Sequence, residues 1–312
     1  MQKRLQNHIS ESRTTLPVMA VYGLLVWLMG GLIADNRWLQ FAFFALSTYL
    51  MVELNNRYAL IRIYSRMVSC SFIMLCTSSL FLFESFSDTV TMFCMVVIFL
   101  GLFKTYQNPL ATYDTYVLSL TLGICSVLAL HVLWFVPLIW LLMLTVLQSL
   151  SIRTWGASLL GLLTPYWFLT PIHLYREDLS PLTTHFEQFA TLQTWWDYSS
   201  LTLSHLLFLA LLCTLSAIGI VHIWHTGYKD KIRTRQYYAC FTITNIYAIL
   251  LIVLQPQLYH TAIHAVIIGT SAHVAHFIAL TNSKATNLMF FTIIAVILSL
   301  TVYNLWTFSS IF

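Results

Sequence analysis

Long apolar runs recur from residue 16 to residue 308 of this chain, separated by short polar connections, and almost no charge falls inside them. That pattern constrains the fold more than any motif does. A helix needs about 20 mostly apolar residues to cross a hydrocarbon core roughly 30 Å thick. In lipid, only helices and closed barrels satisfy every backbone polar group. Charged residues make up 8% of the chain, against roughly 25% in an ordinary soluble domain. The sequence therefore predicts an all-α fold, a polytopic transmembrane helix bundle. Eleven spans are placed near 16–34, 38–54, 65–83, 89–103, 115–130, 132–151, 155–174, 201–225, 237–254, 258–280 and 286–308.

An odd number of spans puts the two termini on opposite sides, and basic residues, which resist translocation, set the orientation. With a cytoplasmic N-terminus, the inner segments hold Lys3, Arg4, Arg13, Arg57, Arg62, Arg66, Lys104 and Arg153. They also hold Lys229, Lys231, Arg233, Arg235 and Lys284, which leaves only Arg37 and Arg176 of the 15 basic residues outside. The outer loops carry acids instead: Asp35, Glu84, Asp88, Glu177, Asp178, Glu187 and Asp197. An even number of spans would scramble this asymmetry. The expected organisation is a cytoplasmic tail over 1–15 and a single transmembrane domain over 16–312, with an outer loop over 175–200. The run at 16–34 is too long for the apolar part of a signal peptide and should stay as the first span. The net charge of +4 follows this topology and calls for no nucleic-acid partner. Six cysteines, all inside apolar runs, read as small core residues.

A charge at mid-bilayer is a functional hypothesis by default, and none is expected here. Glu53, Arg66 and Asp114 fall at span ends, which argues against a proton pump or ion-coupled transporter. The internal polar positions are Asn245 and the groups at 69–71 and 77–79. His222 and His225 close the eighth span, while His273 and His276 lie near the inner end of the tenth. A bis-His metal or haem site between those spans is one reading. Interfacial belts beside headgroups are the preferred one, because no acidic partner accompanies them in sequence. His276 shares a helix face with Ala265, Gly269, Ala272 and Ala279. Small residues let helices approach closely, so His276 should point at a neighbouring helix. Lys229, Lys231, Arg233 and Arg235 alternate beside Tyr228, Tyr237 and Tyr238, a pattern suited to anionic lipid headgroups. Arg57, Arg62 and Arg66 could likewise hold a phosphate; topological anchoring is the plainer reading of both groups.

The densest ionisable group lies between 173 and 197. Pro165 and Pro171 each remove a backbone donor from the seventh span, which is expected to be broken there beside an outward-facing cavity. His173 and Arg176-Glu177-Asp178 follow. Ser180-Pro181 then reads as a helix start, with Leu182, Phe186, Phe189 and Trp196 at helical spacing, an amphipathic helix lying in the interface plane. Glu177, Asp178 and Asp197 are the candidate catalytic carboxylates, suited to general acid–base work or to a divalent cation. His173, Arg176, Trp195 and Trp196 are the candidate substrate-positioning residues, with Arg57 and Arg62 a second candidate anion site. A solvated acidic loop is the plainer alternative.

The run Phe103-Lys104-Thr105-Tyr106, the helix pair around Phe135-Val136-Pro137, and Arg153-Thr154-Trp155 leading into Leu160-Gly161-Leu162-Leu163-Thr164-Pro165-Tyr166 resemble an uncharacterised bacterial family of multipass inner-membrane proteins. The resemblance covers about 40–280 and is most specific over 100–168; Thr154 stands where that family carries an acid. It implies location in the bacterial inner membrane and supplies no catalytic residues. The helix count and flat outer helix are more loosely similar to polyprenyl-phosphate-dependent glycosyltransferases and glycan polymerases. The leading expectation is thus a protein that handles a lipid-linked envelope glycan precursor at the outer leaflet. A non-catalytic subunit of an envelope complex and a transporter of a neutral or amphipathic solute are the alternatives. Membrane lipids are the expected partners, and the sequence names no cofactor.

Overall fold

A computed structural model of the 312-residue chain describes residues 4–190 and 196–309. Thirteen α-helices and no strands are found among these residues. Each of the eleven expected apolar segments contains a helix. These are α2 (Thr15–Met29), α3 (Trp38–Tyr58), α4 (Met67–Thr77), α5 (Phe86–Lys104), α6 (Thr112–Leu128), α7 (Phe135–Thr145), α8 (Ile152–Tyr175), α10 (Leu203–Thr226), α11 (Ile232–Leu254), α12 (Tyr259–Leu280) and α13 (Lys284–Ser309). Two further helices, α1 (Leu5–Glu11) and α9 (Ser180–Ala190), lie in the expected tail and outer loop.

Five helical stretches are individually long and apolar enough to cross a membrane: α5, 203–229, α11, 256–280 and 284–307. Helices α1 and α2, bent by 88°, form a sixth if taken as one broken span. The others fall short for visible reasons. The segment at 65–83 divides into α4 and a 3-10 turn at Leu80–Phe83, so neither piece reaches span length. Helices α3 and α8 are long enough, but one ends in Glu53, Asn55, Asn56 and Arg57 and the other is rich in Trp, Tyr, Thr and Pro. The coarse expectation of a helical membrane protein stands on these five spans.

The chain divides into two compact units, 1–89 with 201–245 and 266–312, and 90–200 with 246–265. In the first, contacts gather the connections at two ends. At one end, Gln6 is fully buried and its Nε2 donates to the carbonyls of Ile278 and Thr281 at 3.2 and 2.7 Å. Asn7 donates to the same Thr281 carbonyl. The expected polar tail is therefore a docked helix. The loop after α3 is held there too, with Asn55 Nδ2 donating to the Ser65 carbonyl and Tyr58 edge-on to Tyr237 at 5.2 Å. At the other end, Asn304 donates to the Ser78 carbonyl, and Phe81 packs edge-on against His205 at 4.4 Å.

The second unit sorts the same way. At one end Lys104 pairs with Asp114, the Gln107 amide donates to the Leu147 carbonyl, and the Ser151 hydroxyl donates to the Pro109 carbonyl. At the other end His185, Trp134, Tyr198 and Tyr247 tie the connections together. Between the ends, α6 and α8 pack with backbones almost touching. A Cβ added at Gly161 would lie 2.5 Å from the Tyr116 carbonyl oxygen and 2.9 Å from the Leu120 nitrogen, so no larger residue fits. Ser151 caps α8, its hydroxyl accepting from the Thr154 amide while the Thr154 hydroxyl accepts from the Ser151 amide. Thr154, fully buried, thus closes a capping box.

The expected break in the seventh span is not there. Helix α8 runs unbroken from Ile152 to Tyr175 with both prolines inside it. The residue before each proline is a threonine whose hydroxyl bonds back into the helix. The Thr164 hydroxyl donates to the Leu160 carbonyl at 2.6 Å and the Thr170 hydroxyl to the Tyr166 carbonyl at 2.8 Å. These bonds do not replace the ones the prolines remove, whose acceptors would be the Gly161 and Trp167 carbonyls.

Candidate functional site

The outer segment begins where α8 ends. The Glu177 amide donates to the Leu174 carbonyl and the Asp178 amide to the His173 carbonyl, with Glu177 at φ 55°. This is the Schellman geometry, and Glu177 occupies the left-handed position usually given to glycine. Asp178 then opens α9. Its Oδ1 accepts from the Ser180 amide at 2.9 Å and the Ser180 hydroxyl at 2.6 Å. Asp197 Oδ1 accepts from the Ser199 amide in the same way at 3.0 Å. These side-chain and backbone bonds hold both carboxyls below the usual carboxylate range. Asp178 and Asp197 therefore have structural tasks that charge counting did not reveal.

Helix α9 is amphipathic and its aromatic side is docked, but it spans Ser180–Ala190, and Trp196, expected at helical spacing on it, sits in a turn beyond it. Phe186 meets Tyr166 of α8 at 5.1 Å, Phe189 stacks on Trp134 at 5.3 Å, and His185 Nε2 lies 3.1 Å from the Ser126 carbonyl. Trp196 sits at φ 69°, more than half exposed, and its amide donates to the Leu254 carbonyl. Arg176 caps the end of α8, and His173 lies half-buried in its last turn. Trp195, the remaining candidate on this segment, lies outside the described residues.

A second group assembles in the first unit, where sequence reading placed only belts. Asp230, in the short connection between α10 and α11, is 3% exposed at its side chain. Its Oδ2 accepts from His276 Nε2 at 3.0 Å, and its Oδ1 lies 3.5 Å from Nη1 of Arg62. His276 is fully buried, as its small-residue face predicted, and its Nδ1 has no hydrogen-bond partner. The expectation that no acid accompanies the histidines is thus corrected. Arg62, read as half of an anion site with Arg57, is committed to Asp230, while Arg57 is exposed. Arg66 donates to the Tyr64 hydroxyl. Arg233 donates to the Tyr237 hydroxyl and lies over its ring, and Lys229 lies over Tyr228.

A polar column continues inward from this pair. Tyr238 packs edge-on to His276 at 4.8 Å, and His222 lies 5.3 Å from it. His273 Nδ1 is 2.6 Å from the Gly269 carbonyl, so it carries the proton and leaves Nε2 to accept from Thr242 at 2.9 Å. Deeper still, Asn245 donates to the Ser216 and Thr270 hydroxyls, joining α10, α11 and α12. Gly269 makes the join possible, since a Cβ there would meet Asn245 Oδ1 at 2.1 Å. No group of three or more His, Cys, Asp or Glu is arranged to hold a metal ion among the described residues, so His222, His225, His273 and His276 are not gathered into such a site. The one signal for Asp230 in the sequence is its place as the single acid between Lys229 and Lys231.

The chain matches no protein-family model, no curated protein and no solved structure.

Proposed function

We propose that this chain crosses the bacterial inner membrane eleven times, with its N-terminus in the cytoplasm and C-terminus outside. On this reading it handles a lipid-linked, polyprenyl-phosphate-type envelope glycan precursor at the outer leaflet. The grouping of connections supports the alternation. In the first unit, the segments carrying Arg4, Arg62, Lys229 and Lys284 share one end, and in the second Lys104 and Arg153 do. The charge rule places those ends in the cytoplasm.

The observation that carries the functional reading is α9, an amphipathic helix whose aromatics seat it on α8 and Trp134. Helices of that kind lie at the headgroup level. The exposed turn that leads into it carries Arg176, Glu177 and Asp178, the polar groups a glycan-bearing headgroup would meet. On this reading the exposed Glu177 is the group that contacts substrate, while Asp178 and Asp197 each order their own turn through Ser180 and Ser199.

The test exploits those roles. Glu177→Gln with Asp178→Asn and Asp197→Asn removes the three charges yet keeps the turn acceptors, because an amide oxygen replaces each carboxylate. Expressed in a deletion strain at wild-type abundance, this variant should fail to restore resistance to envelope-directed antibiotics and detergents. Full restoration would remove the outer-leaflet reading and favour a non-catalytic subunit.

A further inference from the structure

Beside His222, on the outside of the first unit, α10, α12 and α13 leave an open groove of about 480 Å³. Its walls are apolar: Ala217, Ile218 and Val221 from α10, Phe277 from α12 and Met289 from α13. His222 and His225 also line it. At about 1.5 Å per residue, both imidazoles lie within a turn of the end of α10, so the groove is polar at one end and apolar along its length. We infer that this groove is a binding site for a net-anionic membrane lipid, the acyl chain along α10 and the phosphate at the histidine end. The inference is independent of the α8–α9 reading and concerns a different unit of the chain.

Charge complementarity selects the headgroup. Lys229 closes the 3-10 turn Gly227–Lys229 that follows α10, and Lys284 opens α13 five residues before Met289. Asp230, the acid nearest in sequence, is buried and turned to Arg62 and His276, so its charge is balanced largely within that cluster and the exposed Lys229 is left to face a headgroup. His222 Nε2 lies 3.2 Å from the Thr226 hydroxyl, which fixes its ring at the groove wall. The groove's volume falls within the range of about 300–1,000 Å³ typical of sites for small ligands. Basic residues beside an apolar slot are the usual signature of phosphate-headed lipid recognition.

Purified full-length protein, reconstituted in vesicles of equal parts phosphatidylglycerol and phosphatidylcholine and re-extracted, reports the lipid it retains by mass spectrometry. Wild-type protein should retain phosphatidylglycerol at least fivefold over phosphatidylcholine, and excess inorganic phosphate should not displace it. His225→Gln with Lys229→Gln and Lys284→Gln should bring the ratio close to one. Ala217→Phe, at an exposed position on the groove wall, should cut retention of both lipids several-fold while the protein elutes unchanged on size exclusion; Met289→Trp fills the groove from the other side if that variant does not fold. Equal retention of the two lipids by the wild type, displacement by free phosphate, or undiminished retention in the filled variants would each overturn the site.

Discussion

Removing the Asp230 carboxylate would leave the buried His276 Nε2 without its partner, while the partly exposed Arg62 could turn to water. Leaving one buried polar group unsatisfied typically costs about 1–3 kcal/mol. Asp230→Ala should therefore lower the thermal unfolding midpoint of the purified protein by several degrees. Asp230→Asn, which still accepts one hydrogen bond, should lose less. An unchanged midpoint in Asp230→Ala would mean the group contributes nothing to the fold. Gly269 gives a second prediction. Gly269→Ala drives a methyl into Asn245, and overpacking of that kind costs about 1–3 kcal/mol. The loss should shrink when Asn245→Ala is added, measured by the same unfolding curves. At this scale, the burial of His276 was legible from the small residues one and two turns away. Asp230 was not, because its partners lie 168 and 46 residues away in sequence, and counting charge merged it with Lys229 and Lys231.

Helices α8 and α9 show how far local rules reach. The length of α8 and the start signal of α9 were both readable, but α8 is not apolar enough to count as a span on hydropathy, and the proline break was not realised. Pro165→Ala restores an amide that can bond to the Gly161 carbonyl, so the unfolding midpoint should hold or rise; a clear fall would show that the ring's packing outweighs the missing bond. The cap of α9 carries a pH dependence of definite sign. The folded Asp178 carboxyl is held below its ordinary value, about 3.9, by bonds to Ser180. Its contribution is therefore complete above that ordinary value and is lost as the pH falls through the lower, folded one. Amide exchange in the first turn of α9, corrected for intrinsic rate, should rise only in that acidic window in the wild type. In Asp178→Asn it should show no such step. A step centred near neutral pH would contradict the assignment.

Across the whole molecule, two levels of reading separate. Helical membrane character was legible from apolar run lengths alone, and every expected segment holds a helix. Span length was less legible, because hydropathy does not see that Ser78 and Ser79 interrupt 65–83 or that α7 stops at Thr145. The alternation of sides, on which the outer-leaflet reading depends, joins charge asymmetry to the grouping of connections within each unit. Labelling with a membrane-impermeant maleimide tests it most directly, using Thr183→Cys and Lys231→Cys, both at exposed positions, with the wild-type signal subtracted. The account predicts that Thr183→Cys is labelled in intact spheroplasts and Lys231→Cys only after permeabilisation. Labelling of Lys231→Cys from outside, or protection of Thr183→Cys until lysis, would contradict it.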